Sequence, residues 1–150
     1  TKYKITLRIF DNSQIIFNQP YNNNWKIYPG RSRELEMCNN YSLFQQSKEC
    51  YGPHNFMEGD ELLYVFKRPI SFGSHNKSNN YGNSWLLSKN DLVQHLPKNS
   101  YIENNDGSIT VSLVLYYLPQ SYFYYGLLIT VIAIMGFILY YFLPKKTIGT

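Results

Sequence analysis

SITVSLVLYYLPQSYFYYGLLITVIAIMGFILYYFL, residues 108–143, carries the two periodicities that decide the fold. In its first part Ile109, Val111, Leu113, Leu115 and Tyr117 fall on alternate positions, the period of a β-strand with one face in a core. From 122 to 143 the alternation stops and 22 residues pass without a charge. As a helix rising 1.5 Å per residue, this stretch reaches about 33 Å, against roughly 30 Å for the hydrocarbon core of a bilayer. Aromatic rings crowd both of its ends, at 122–125 and 140–142, as expected where amphipathic rings sit at the headgroup level. A helix this long and apolar would overfill the core of a 150-residue chain. The expected architecture is mainly β. An antiparallel sandwich occupies residues 1–117, a short tether 118–121, a single transmembrane helix 122–143 and a basic tail 144–150.

The flanks of the apolar stretch set an expected orientation. Lys145 and Lys146 follow it at once, whereas the last basic residue before it is Lys98, with Glu103 and Asp106 in between. Excess Lys and Arg mark the cytoplasmic side, or the matrix side in a mitochondrion. The tail is then expected inside. The sandwich is expected on the non-cytoplasmic side, facing a secretory lumen, the extracellular space or the mitochondrial intermembrane space. A first residue of Thr1 fits removal of a targeting segment. The competing topology is a tail anchor with the domain in the cytosol. Asn40-Tyr41-Ser42 and Asn76-Lys77-Ser78 are glycosylation acceptors in a secretory compartment. Cys38 and Cys50, the two cysteines, read as a disulfide in an oxidising compartment, worth roughly 2–3 kcal/mol for so short a loop. Two buried thiols are the alternative.

The residues before the apolar stretch suffice for one domain with its own core. The formal charge of +4 comes from 14 basic and 10 acidic residues, and two of the basic ones are Lys145 and Lys146. The domain is thus nearly balanced and has no block of like charge, so no nucleic-acid partner is expected. Tyr3, Ile5, Leu7 and Ile9 alternate with polar residues as a first strand. Further strands are expected at 15–17, 25–28, 35–38 and 61–67, with turns at 11–13 and 104–107. Residues 88–96 read as a helix capped by Ser88 or Asn90, with Leu92, Val93 and Leu96 as its apolar stripe. Residues 73–83, rich in Ser, Asn and Gly, read as a surface loop. Trp25 and Trp85 read as core or interface anchors, and the 15 tyrosines suggest extensive interfaces.

Within the apolar stretch Gly126, Thr130, Ala133 and Gly136 fall within roughly 120° of arc, one smooth stripe along a helix. Small residues of this kind let helix backbones approach in lipid, so other transmembrane subunits are the expected partners besides the bilayer. The stretch contains no ionisable residue and so no evident ion or proton path.

Cys50, His54 and Met57 combine thiolate, imidazole and thioether, the soft ligand set of a blue-copper centre. Their spacing, Cys-x3-His-x2-Met with Phe56 before the Met, resembles the copper loop of cupredoxins and of cytochrome oxidase subunit II. Pro29-Gly30-Arg31 resembles a segment upstream of that loop. The resemblance implies copper-based electron transfer, yet no His precedes His54, and Gln46 stands where the binuclear site needs a second Cys. The ligand set is therefore incomplete, and neither metal nor cofactor is expected. A second stretch, from Phe66-Lys67-Arg68-Pro69 through Gly82 and Asp91-Leu92 to 101–109, is similar to the last part of MATH (TRAF-like) domains. These are sandwiches that bind peptides. His75 with Asp91, or His95 with Asp106, can be assembled into triads on paper, but no nucleophile motif accompanies them. The expected function is non-catalytic. The chain reads as an accessory or scaffolding subunit of a larger membrane assembly, respiratory or secretory.

Overall fold

The computed structural model describes residues 2–30 and 59–142. Two antiparallel sheets pack face to face, and one long apolar helix follows them. Strand β7 (Ile109–Tyr117) organises the first sheet. Strand β1 (Lys2–Ile9) pairs with it along its whole length, from Lys2 opposite Tyr116 to Ile9 opposite Ile109. On its other side β3 (Trp25–Pro29) pairs with the end of β7 and β6 (Tyr101–Glu103) with its start. The second sheet has the order β2 (Asn12–Phe17), β5 (Gly82–Ser88), β4 (His75–Ser78).

The alternation in β1 and β7 gives the core its first wall. Ile9, Ile109, Val111, Leu113 and Leu115 pack with Ile27, Trp25, Ile15, Trp85 and Leu87 between the sheets. Tyr3, Phe17, Trp25 and Tyr117 close the end of this core from which the long helix departs, with ring centroids 4.8–5.1 Å apart along the chain of contacts. The short helix α1 (Lys89–His95) adds Leu92 and Leu96 to the same cluster. Ser88 does stand at its N-cap, but its side chain makes no capping bond. The Lys89 N–H is satisfied by the Asp11 carbonyl at 2.7 Å.

Gly30 marks the junction where β3 hands over to β6 beside β7. Its N–H donates to the Ser112 carbonyl at 2.8 Å, and its own carbonyl accepts from Ser100 Oγ at 3.1 Å. A Cβ at this position would meet the Ser112 carbonyl carbon at 2.8 Å and Ser112 Oγ at 2.1 Å. Only a residue without a side chain fits against the central strand.

Three expectations change. Residues 61–67 do not form a strand, because Glu61–Val65 is a 3-10 turn. Leu63 N–H donates to the Asp60 carbonyl and Phe66 N–H to the Leu63 carbonyl, each at 3.0 Å. Residues three apart then share a face, so Glu61 and Tyr64 turn inward. Residues 73–83 are not a loop. They form most of the β4–β5 hairpin, whose turn places Asn79 and Asn80 at φ of 50° and 58°. Asn tolerates the left-handed conformation better than other side-chain-bearing residues, and a pair of such residues is what a type I′ hairpin turn requires. Lastly, residues 118–121 are not a separate short tether, since only Leu118 lies between β7 and the helix. Helix α2 spans Pro119–Phe142, with proline in its first turn, where a missing N–H costs nothing. The predicted strand at 35–38, and with it Cys38, Asn40, Cys50, His54 and Met57, lies outside the described residues.

Candidate functional site

The feature that sets this sandwich apart lies on the other face of the first sheet, where β7 meets α2. Residues of β3 and β7 that point away from the main core, Tyr28, Val114 and Tyr116, form a second buried cluster with Tyr64 of the 3-10 turn. Tyr64 stacks on Tyr116 with centroids 4.1 Å apart and planes at 19°, and meets Tyr28 edge-on at 4.9 Å. Three of the tyrosines, Tyr28, Tyr64 and Tyr116, are thus used inside the protein.

Polar atoms at the rim of this cluster tie three segments together. Ser121, fully buried in the first turn of α2, donates to the Glu61 carbonyl at 2.5 Å. Its proton is thereby committed, so the Tyr116 hydroxyl, 2.9 Å from Ser121 Oγ, is the donor in that pair. One turn further along α2, the Tyr125 hydroxyl donates to the Leu62 carbonyl at 3.0 Å. The Leu118 N–H donates to the Asn24 carbonyl at 3.1 Å, anchoring the single residue between β7 and α2. Sheet, turn and helix base thus form one hydrogen-bonded latch.

Charge reinforces it. Asp60, at the start of the turn, accepts from Lys2 Nζ at 2.7 Å and from Lys67 Nζ at 3.2 Å. Lys67 also sits 3.9 Å over the Tyr64 ring, an attractive cation–π geometry. Burial would raise the Asp60 carboxyl, but the bonds and charges of Lys2 and Lys67 outweigh it and hold the group below the usual carboxylate range. Burial pushes the Tyr28 hydroxyl up to about 12, with the neighbouring Tyr116 adding to the effect. Burial raises Tyr116 as well. Both hydroxyls therefore stay neutral across the physiological range.

A pH prediction follows from the signs. The Asp60 pKa is lowered on folding, so its contribution is full above the unfolded value near 3.9 and is lost as pH falls through the folded value. The Tyr28 pKa is raised, so its contribution is full below about pH 10 and is lost between about 10 and 12. Asp60→Asn should cost about 2 kcal/mol near neutral pH, between an exposed and a fully buried pair. It should also flatten the acid limb of a stability-against-pH profile while leaving the alkaline limb in place. Chemical unfolding of the detergent-solubilised protein across pH reads both.

Helix α2 itself is long and apolar enough to cross a membrane. Its most apolar window has a mean hydropathy of 2.1 and is not buried by the rest of the protein. Gly126 and Gly136 have open space where a Cβ would stand, and Thr130 Oγ1 donates to the Gly126 carbonyl at 2.8 Å. At 100° per residue the stripe of Gly126, Thr130, Ala133 and Gly136 lies roughly opposite Tyr124, Leu127, Leu128 and Val131, which line a groove against the 3-10 turn. One side of the helix thus faces its own domain and the other faces away.

The remaining candidates do not converge. His75 is stacked on Trp85 at 4.5 Å and bonded to Asn83 Oδ1 at 3.0 Å, with no carboxylate as its partner. His95 Nδ1 lies 2.9 Å from the Asp91 carbonyl of its own helix, and Asp106 is paired with Arg8. Among the described residues no three His, Cys, Asp or Glu side chains are grouped to hold a metal. Asn76 is exposed on the edge strand β4, bonded to Ser74 Oγ at 2.7 Å. The signal that sequence reading passed over was Ser121, a lone small polar residue at the mouth of an apolar helix. Compared with models of known protein families, with characterised proteins and with solved structures, the chain has no significant match.

Proposed function

We propose that the chain is a single-pass membrane protein that acts without catalysis, as an accessory or scaffolding subunit of a larger membrane assembly. The observation that carries this reading is the latch of Tyr116, Ser121 and Glu61, which mounts the sandwich on α2 as one body. A domain that only had to be retained at a membrane would need no such mount; a domain that must present a surface at a fixed height and angle does. The uncovered apolar side chains of α2 support a bilayer environment, since a patch of that size does not persist in water. The open stripe of small residues, turned away from the domain, is the face offered to a neighbouring helix. Lys145 and Lys146 favour the non-cytoplasmic side for the sandwich.

The test is association in mild detergent after extraction from native membranes. The wild type should run as part of a larger particle. Leu at both Gly126 and Gly136 should release it as a monomer, with the sandwich still folded by circular dichroism. Ile138→Ala, away from the stripe, should leave the particle intact. A wild type that is already monomeric, or a release caused equally by Ile138→Ala, would contradict the proposal.

A further inference from the structure

The 3-10 turn does more than cover Tyr116. Its inward positions, Glu61 and Tyr64, belong to the latch, and the same three-residue period turns Leu63 and Phe66 outward, 52% and 75% exposed. These two apolar side chains do not stand at a random point on the surface. The turn is bonded to α2 through Ser121 and Tyr125, and the Phe66 ring meets the Tyr125 ring edge-on at 6.5 Å. Below that contact lies a groove of about 220 Å³, walled by Gly59 and Leu62 on one side and Leu127, Leu128 and Val131 on the other. Leu128 is about 10 Å along the helix from Ser121, and Val131 about 15 Å. The turn therefore reaches past the aromatic ring at the head of α2 and down beside its apolar body. Two basic residues follow Phe66: Lys67, held by Asp60 and the Tyr64 ring, and then Arg68, which is exposed.

We propose that this turn is a second, shallow membrane contact: Leu63 and Phe66 enter the edge of the hydrocarbon, Arg68 meets lipid phosphate, and acyl chains fill the groove beside α2. The inference rests on α2 spanning a bilayer. Given that, the occupant follows from continuity, because the groove, lined by apolar surface apart from a small contribution of Glu61 and Tyr124, and the two side chains extend the lipid-facing surface of the helix. It also follows from charge order, apolar then basic, which matches the acyl-to-phosphate order of a leaflet. The mount then has two footings in the membrane, a helix through it and a turn resting in it, and these would fix the tilt of the sandwich.

The experiment uses the full chain in phosphatidylcholine nanodiscs, with single substitutions to Trp read against the wild-type emission of Trp25 and Trp85. Phe66→Trp should lose emission to lipids brominated high on the acyl chain more than to lipids brominated near the methyl end. Ile132→Trp, in the middle of α2, should show the reverse order. If Ile132→Trp is quenched and Phe66→Trp is not, the span stands and the shallow contact is wrong. If neither is quenched, the spanning helix itself is wrong, and this inference falls with it.

Discussion

Replacing Tyr116 by Ala should cost about 4 kcal/mol, as expected for truncating a fully buried aromatic side chain. Its ring is the centre of the second cluster, stacked on Tyr64, and its hydroxyl is the donor that completes the Ser121–Glu61 bond. The loss should have two separable parts. Tyr116→Phe keeps the stack and removes the hydroxyl, which should cost about 1 kcal/mol. Ser121→Ala should cost about as much as Tyr116→Phe, roughly 1 kcal/mol, because the Tyr116 hydroxyl, 3.4 Å from the Glu61 carbonyl, can still donate to it when the serine is gone. Denaturant unfolding of the three variants in one detergent gives the order. If Tyr116→Ala and Tyr116→Phe were equally mild, the second cluster would not be what holds helix to sheet.

Gly30→Ala should be nearly as damaging, at about 3 kcal/mol, through overpacking and not through lost contacts. The added Cβ would meet the carbonyl carbon and Cβ of Ser112, each at 2.8 Å, on a strand paired on both sides. A strand so held has nowhere to move. The clash is with backbone, so Gly30→Ala combined with Ser112→Ala should recover little, even though the 2.1 Å approach to Ser112 Oγ is removed. Thermal unfolding of the single and double variants checks this. Full recovery in the double variant would mean that the serine hydroxyl alone makes glycine necessary.

Much of the fold was legible because its main strands bury one face. Alternation in β1 and β7 fixed their inward residues, and Ile9, Leu113 and Leu115 are fully buried as read. The turn at 104–107 also stands, with Gly107 at φ 79°. What escaped was structure whose stability comes from elsewhere in the chain. The hairpin arm β4 is short and polar and is held by backbone pairing to β5, so its composition looked like a loop. The apolar run at 61–67 is compatible with several local structures, and only the contacts of Glu61 and Tyr64 with the first sheet decide for a 3-10 turn. The candidate site was half visible. The stripe on α2 could be read from spacing alone, whereas the latch joins residues some 60 positions apart, and no local pattern announces it.

The most direct test of the account is the distance between the two bodies that the latch joins. Spin labels attached through an encoded keto amino acid at Lys77 on β4 and Phe123 on α2, both exposed, leave the cysteines untouched. In nanodiscs the wild type should give one narrow distance distribution by double electron–electron resonance, and the same pair with Tyr116→Ala and Ser121→Ala should give a broad one. A distribution already broad in the wild type would mean that the sandwich swings free of its helix, and the reading of this protein as a rigidly mounted scaffold would be wrong.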